Sequence, residues 1–253
     1  MVLLLDLGNT NLYIGVYKDD KFINEYRTDS YLKRSSDMYA TLIIEFLKRS
    51  NINPNDFEGA ILSSVIPSIT DVIVRAVNSA IHTDCLVVGA GIKTGLQIKI
   101  DNPSELGADL VCDSVGAIKK YNYPAIICDL GTANKLIVIN NKGQFAGCIM
   151  SPGIKTAQKA LSNGAAQLMD ISFKAPRYVI GKNSADSLNS GAIYGTIAMI
   201  EGLTRMIEDE LGYKCERILT GGNSSLIKDS IPSYTYDGSL IFEGLYQIYL
   251  KNK

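Results

Sequence analysis

The chain has 253 residues, 46% hydrophobic and 20% charged, a composition that suits a compact soluble protein and excludes a disordered one. Its length allows one large or two small domains. A formal net charge of −1, with no run of lysine or arginine, lacks the basic face of a nucleic-acid binder; any phosphate site must rely on backbone amides, helix ends and metal ions.

Met1 to Leu5 form an apolar run that Asp6 ends, too short for a signal peptide and without a basic leader. No stretch reaches the roughly 18 apolar residues of a membrane span, so neither membrane nor nucleic acid is an expected partner, and the expected location is the cytoplasm. The opening strand leads into the loop Asp6-Leu7-Gly8-Asn9-Thr10-Asn11, a second apolar run over Leu12 to Tyr17, a polar turn over Lys18 to Lys21 and a third run from Phe22. Helical spacing follows over Ser36 to Lys48. Ala60-Ile61-Leu62 reads as a buried strand, Ile69 to Ile81 as a helix and Cys85 to Val88 as a strand before the turn Gly89-Ala90-Gly91. Asn102-Pro103 opens the next helix, since Asn caps well and Pro suits a first turn. On that helix Leu106, Leu110 and Ala117 form an inward stripe, and Asp109 and Asp113, four apart, share a face. On spacing alone such a pair reads as a solvated acidic face.

From residue 125 the opening pattern recurs. A strand leads into Asp129-Leu130-Gly131-Thr132-Ala133-Asn134, then come Leu136 to Ile139, the polar turn Asn140 to Gln144 and a run from Phe145. One Asp-x-Gly is commonplace in turns, but two with the same flanks, each opening half of the chain, argue an internal duplication. We expect domains over 1–120 and 121–253. Ser190 to Leu211 is the longest helical pattern; the strand Arg217-Ile218-Leu219, the loop Thr220-Gly221-Gly222 and a closing helix over Leu240 to Leu250 complete an α/β order.

A strand ending in Asp-x-Gly sets a carboxylate at the mouth of a sheet, where Asp6 and Asp129 are candidate Mg²⁺ ligands. Gly8 and Gly131 let the backbone approach phosphate, and Asn9, Thr10, Asn11, Thr132 and Ala133 supply neutral donors and amides. Gly221 and Gly222 would let the backbone lie against a base or ribose, with a following helix end adding positive charge. Cys85, Cys112, Cys128, Cys148 and Cys215 lack CxxC spacing and read as structural thiols. The single histidine, His82, nearly excludes a His-based metal site or a Ser-His-Asp triad and reads as an ordinary residue near a helix end.

The repeated Asp-x-Gly loops and Thr-Gly-Gly resemble the acetate and sugar kinase, Hsp70 and actin superfamily. More narrowly, the chain resembles type III pantothenate kinase along nearly its whole length. The resemblance rests on the Asp6–Asn11 loop, Ser63-Ser64-Val65-Ile66-Pro67, Lys93-Thr94-Gly95-Leu96, Asn102-Pro103-Ser104-Glu105-Leu106-Gly107-Ala108-Asp109, Gly181-Lys182-Asn183-Ser184 with Ser190-Gly191, and Gly244-Leu245 with Ile248-Tyr249. It implies two duplicated ribonuclease-H-like (actin-like ATPase) domains with a cleft between them. It also implies phosphorylation of pantothenate by ATP, with Mg²⁺ and a monovalent cation, K⁺ or NH₄⁺, as cofactors. Asp109 falls on the family's catalytic aspartate. Gly107, Ala108, Ile100, Leu110 and Ser184 fall on its acceptor site, which in the family is shared across a homodimer.

Some positions depart from the family. Leu110 stands where arginine is usual, Ile100 where tyrosine is common, Asp113 for asparagine, Asn134-Lys135 for Thr-Thr, Gly147-Cys148 for Gly-Gly and Ser184 for threonine. These departures keep two other readings open: a non-catalytic or acceptor-shifted nucleotide-binding paralogue, and a phosphatase of the same superfamily. Lys135 reads as a replacement cation for the acceptor or as a ligand of ATP phosphate.

Overall fold

The computed structural model describes residues 1–164 and 171–253. They fall into two units. One comprises Met1–Leu96, Asp101–Lys119 and Leu240–Lys253; the other comprises Gln97–Ile100 and Lys120–Ser239.

In the first unit, β1 (Val2–Leu7), β2 (Asn11–Lys18), β3 (Lys21–Asp29), β4 (Gly59–Ser64) and β5 (Cys85–Val87) form a sheet in the order β3-β2-β1-β4-β5. The first three are antiparallel, and β4 and β5 run parallel to β1. Asp19 and Asp20 make the two-residue turn between β2 and β3 with φ of 51° and 59°, the left-handed pair that matches strand twist. Helices α1 (Ser36–Arg49) and α2 (Pro67–Ile81) cover the face carrying Leu3, Leu5 and Leu7. Helix α3 (Ala108–Lys120) and the terminal helix cover the face carrying Val2 and Leu4. A central strand clothed on both sides has to be apolar at nearly every position, which accounts for Val-Leu-Leu-Leu. His82 closes α2 with φ 55°, an ordinary helix end, as its position led us to expect.

In the second unit, β6 (Gln97–Ile98), β7 (Ala125–Leu130), β8 (Ala133–Ile139), β9 (Gln144–Pro152), β10 (Glu216–Thr220) and β11 (Thr235–Tyr236) are ordered β11-β10-β7-β8-β9-β6. Apart from β6, this is the first sheet again, with β7, β8, β9, β10 and β11 in the places of β1 to β5. Even the burial of β7 along its length repeats that of β1. Helix α4 (Ile154–Gly164) contributes Ile154, and α5 (Ser184–Leu211) contributes Ile193, Ile200 and Ile207, to a core with Ile126, Cys128 and Leu130.

Four sequence expectations need correction. The units differ from 1–120 and 121–253 at Lys120 and in two segments: β6 pairs with β9 of the second unit, and α6 (Leu240–Asn252) buries Phe242, Leu245 and Ile248 in the core of the first. The helix expected from Asn102 starts at Ala108, because Asn102 caps only a 3₁₀ turn over Pro103–Glu105 and Leu106 returns to extended backbone. α5 begins at Ser184, not Ser190, since the Asn183 side chain accepts from the Asp186 amide at 2.8 Å. Directly after Thr220-Gly221-Gly222 the chain makes not an α-helix but 3₁₀ turns over Ser224–Leu226 and Lys228–Ser230, too short to sum a helix dipole.

Candidate active site

The duplication extends to how the two loops are held. In the first, the Gly8 amide donates to Asn11 O at 2.9 Å. The loop carbonyls are tied to neighbouring strands: Val65 N donates to Leu7 O at 3.1 Å, Ser30 N to Thr10 O at 2.9 Å, and Ser30 Oγ to Gly8 O at 2.6 Å. In the second, the Gly131 amide donates to Ala133 O at 3.0 Å, Asn223 N to Leu130 O at 2.8 Å and Gly153 N to Thr132 O at 2.9 Å. Asn223 Nδ2 donates to Gly131 O at 2.8 Å and Thr156 Oγ1 to Thr132 O at 2.7 Å. Ser30 and Gly153 each follow the third strand of their sheet, so they are equivalents. Engaging the carbonyls this way suits a loop that offers amides to an anion. The exposed residues of these loops are Asn9, Thr10 and Thr132; Gly8, Asn11, Gly131 and Ala133 are half-buried.

Ser30, Gly153, Thr156 and Asn223 escaped the sequence reading. Ser30 sits in no motif, and its role appears only when β3 pairs with β2. Asn223 follows the Gly221-Gly222 pair, and Gly153 completes a Pro-Gly turn, so those two had a local signal.

The second hairpin is one residue shorter. Leu7 pairs with Leu12 across four loop residues, whereas Leu130 pairs with Asn134 across three. The residue opposite Asp6 is therefore Tyr13, and the one opposite Asp129 is Lys135. Lys135 Nζ lies 2.5 Å from Asp129 Oδ2, and each side chain is 13% exposed. On the other side of the carboxylate stands Gly221, with φ +90°, where a Cβ would come within 2.2 Å of Asp129 Oδ1. Gly221 thus packs against Asp129, while Gly222 is exposed.

Asp109 lies in the first turn of α3, half-buried, with its Oδ1 accepting from the Leu110 amide at 2.9 Å. That oxygen folds back over Gly107, where a Cβ would meet it at 2.6 Å. Asp113, one turn on, is 2% exposed, so the solvated acidic face that its spacing alone suggested does not form. Asp6, Asp109 and Asp113 converge on one buried group. Burial first, then the charges of Asp6, Asp113 and Asp109, push the Cys112 thiol well above its ordinary value, with Ser63 beside it. This keeps Cys112 a protonated thiol, within electrostatic reach of one carboxylate of β1 and two of α3. Among the described residues no disulfide joins the five cysteines; Cys112 and Cys128 are buried and Cys148 is exposed.

The expected acceptor residues fall in both units. Gly107, Ala108 and Asp109 form one half-buried corner, whereas Leu110 is 3% exposed. Ile100 and Ser184 belong to the second unit; Ser184 is exposed at the first turn of α5.

The two candidate Mg²⁺ ligands differ. Asp6 is the last residue but one of central strand β1, opposite Ser63 of β4 and followed by Asn9 and Thr10, a set of hard oxygen donors of the kind Mg²⁺ takes. Asp129 does not suit the metal role expected of it: Lys135 already neutralises one oxygen, and the Gly221 backbone crowds the other.

A family model described as type III pantothenate kinase matches residues 2–206. Curated type III pantothenate kinases from Halalkalibacterium halodurans and an Exiguobacterium species are each 36% identical, over 253 and 254 residues and the full length of both chains. One from Bifidobacterium animalis subsp. lactis is 33% identical over 252 residues, again at full length. Among solved structures, a Campylobacter jejuni protein described as a Baf family transcriptional activator superimposes with a TM-score of 0.61 at 18% identity, covering 99% of this chain and 98% of its own. The activator of the 2-hydroxyisocaproyl-CoA dehydratase from Clostridium difficile, with bound ADPNP, gives 0.53 at 9% identity, covering 99% and 95%. These likenesses show a shared fold, with two mixed α/β, ribonuclease-H-like domains. A family match over most of the sequence, together with full-length relatives at one identical residue in three, shows that the chain belongs to the type III pantothenate kinase family.

Proposed function

We propose that this chain transfers the γ-phosphate of ATP to the primary hydroxyl of pantothenate, giving 4′-phosphopantothenate, the first step of coenzyme A biosynthesis. The observation that carries this reading is the pairing of full-length family membership with two strand-end Asp-x-Gly loops framed by the same hydrogen bonds. Nothing in the comparisons favours the non-catalytic alternative.

The loops over Asp6–Asn11 and Gly131–Ala133 offer amides and hydroxyls to the phosphates, and Gly221 and Gly222 border the adenosine. Asp109 accepts or orients the hydroxyl proton of the acceptor, held in place by the Leu110 amide and by the bare Cα of Gly107. Gly107 and Ala108 border the acceptor, Ile100 and Ser184 take part in its recognition, and Leu110, buried beneath Asp109, supports that corner from the core. Asp6 would hold Mg²⁺, which when bound spreads the charge building on the β- and γ-phosphates. Positioning and charge neutralisation carry most of the rate in such a transfer.

The finer assignments belong to the same proposal. Helix α5 exposes Gly191, Gly195 and Ala198, small residues that permit close approach of a second copy and hence a homodimer. No helix among the described residues is long and apolar enough to cross a membrane; we assign the enzyme to the cytoplasm, where ATP is available. A coupled ADP assay across pantothenate, pantetheine and related hydroxy acids tests the function. Stimulation by pantothenate supports it; measurable ATP binding without stimulation by any acceptor overturns it.

A further inference from the structure

An ionised carboxylate beside a polyphosphate repels it unless a cation stands between them. In the second loop that cation is already part of the chain. Asp129 and Lys135 are directly opposed across the antiparallel pair β7–β8, so their side chains emerge on the same face of the sheet. Nζ lies 2.5 Å from Oδ2, and both side chains are 13% exposed, so the pair is largely withdrawn from water and weakly screened by salt. The bare Cα of Gly221 confines the carboxylate from the other side. At the equivalent place in the first loop Asp6 faces Tyr13, a neutral side chain. The register therefore sets a lysine opposite the carboxylate of one loop and a tyrosine opposite that of the other.

We propose that Lys135 is the built-in cation of the second phosphate loop, supplying at Asp129 the positive charge that a free K⁺ or NH₄⁺ would otherwise bring. The inference rests on the proposed reading of that loop as an ATP site. A lysine ammonium has the charge of NH₄⁺ and three of its four N–H donors, and its tether removes the entropic cost of recruiting an ion from solution. ATP binding and turnover by this chain then do not respond to monovalent cations, and Asp129 needs no metal.

The test is calorimetric titration of ATP and Mg²⁺ into the full chain in K⁺, in NH₄⁺ and in tetramethylammonium at equal ionic strength, with pantothenate-dependent ADP release measured alongside. The wild type is expected to bind ATP equally in all three. Lys135→Thr is expected to bind roughly tenfold more weakly in tetramethylammonium, the loss of one charged contact, and to recover in K⁺ or NH₄⁺. Rescue by a free ion is something a merely structural lysine would not show. A wild type whose ATP affinity rises several-fold with K⁺ overturns the proposal, and so does a folded Lys135→Thr that no cation rescues. Should the variant not fold, the wild-type titration still decides. ATP binding without pantothenate-dependent ADP release in any salt would defeat the kinase reading separately.

Discussion

Gly244 of α6 lies against the backbone of Cys112 in α3, so closely that a Cβ on residue 244 would come within 1.8 Å of the Cys112 carbonyl oxygen. Gly116 returns the contact, since its Cβ would meet Leu240 O at 2.4 Å. Both obstacles are backbone, which cannot swing aside. Gly244→Ala is therefore expected to cost about 1–3 kcal/mol or more, read as a fall in melting temperature of about 2–4 °C per kcal/mol. Because α3 carries Asp109, turnover should fall with stability.

Gly221→Ala tests the second loop. The residue sits at φ +90° and would drive a methyl group to within 2.2 Å of Asp129 Oδ1. The backbone strain costs of order 1–3 kcal/mol, and the displaced carboxylate would pull on Lys135. The expected outcome is ATP affinity lowered roughly tenfold or more by calorimetry. Unchanged affinity would remove Gly221 from the nucleotide site.

Asp109→Asn should separate chemistry from binding. Loss of a positioned proton acceptor lowers kcat by about 10²–10⁴-fold, while ATP affinity stays near the wild-type value. Gly107→Ala leaves the acid in place but adds a Cβ 2.6 Å from its Oδ1. A smaller drop, about 10–100-fold, is expected from misplacement alone. Equal rates for Asp109→Asn and wild type would exclude Asp109 from the reaction.

Acid sensitivity is expected at Glu208, 3% exposed in α5 and, with Asp237 and Glu58, one of the carboxyls held below their ordinary values. Burial raises the affinity of this carboxyl for a proton, but bonds from Lys214, the Cys215 amide and Arg217 outweigh it, and the net position is below the ordinary 4.5. A carboxyl depressed in the folded state stabilises it at pH values above the unfolded value, and that stability is lost as pH falls through the folded value. Urea midpoints should thus drop below about pH 4.5 in the wild type and drop less in Glu208→Gln. Parallel curves for the two would show that Glu208 is not responsible.

The duplication was legible in the sequence because Asp6 and Asp129 head the same strand-loop-strand pattern, and local spacing also marked α1, α2 and α6 to within a few residues. The misreadings arose where long-range contacts override local signals. Asn102-Pro103 is a good helix start, yet Leu106 returns to extended backbone and delays α3 to Ala108. Leu110 sits at a position the resemblance assigns to the acceptor, and the structure buries it. The Lys135–Asp129 pair depends on the second hairpin being one residue shorter, a fact of register that matching the two motifs residue by residue hides. Ser30 became part of the site only through its bond to Gly8.

The placement of α6 also bears on how the chain is made. The first unit is closed by residues 240–253, which follow the whole of the second unit in the sequence. During synthesis the β1 sheet must wait, one apolar face without Phe242, Leu245 and Ile248, until translation has passed the second unit. Folding from the N-terminus one domain at a time is unavailable to this chain. The second unit is the one that can mature first, and a ribosome stalling before residue 240 would release a half-clad sheet that a chaperone must shield.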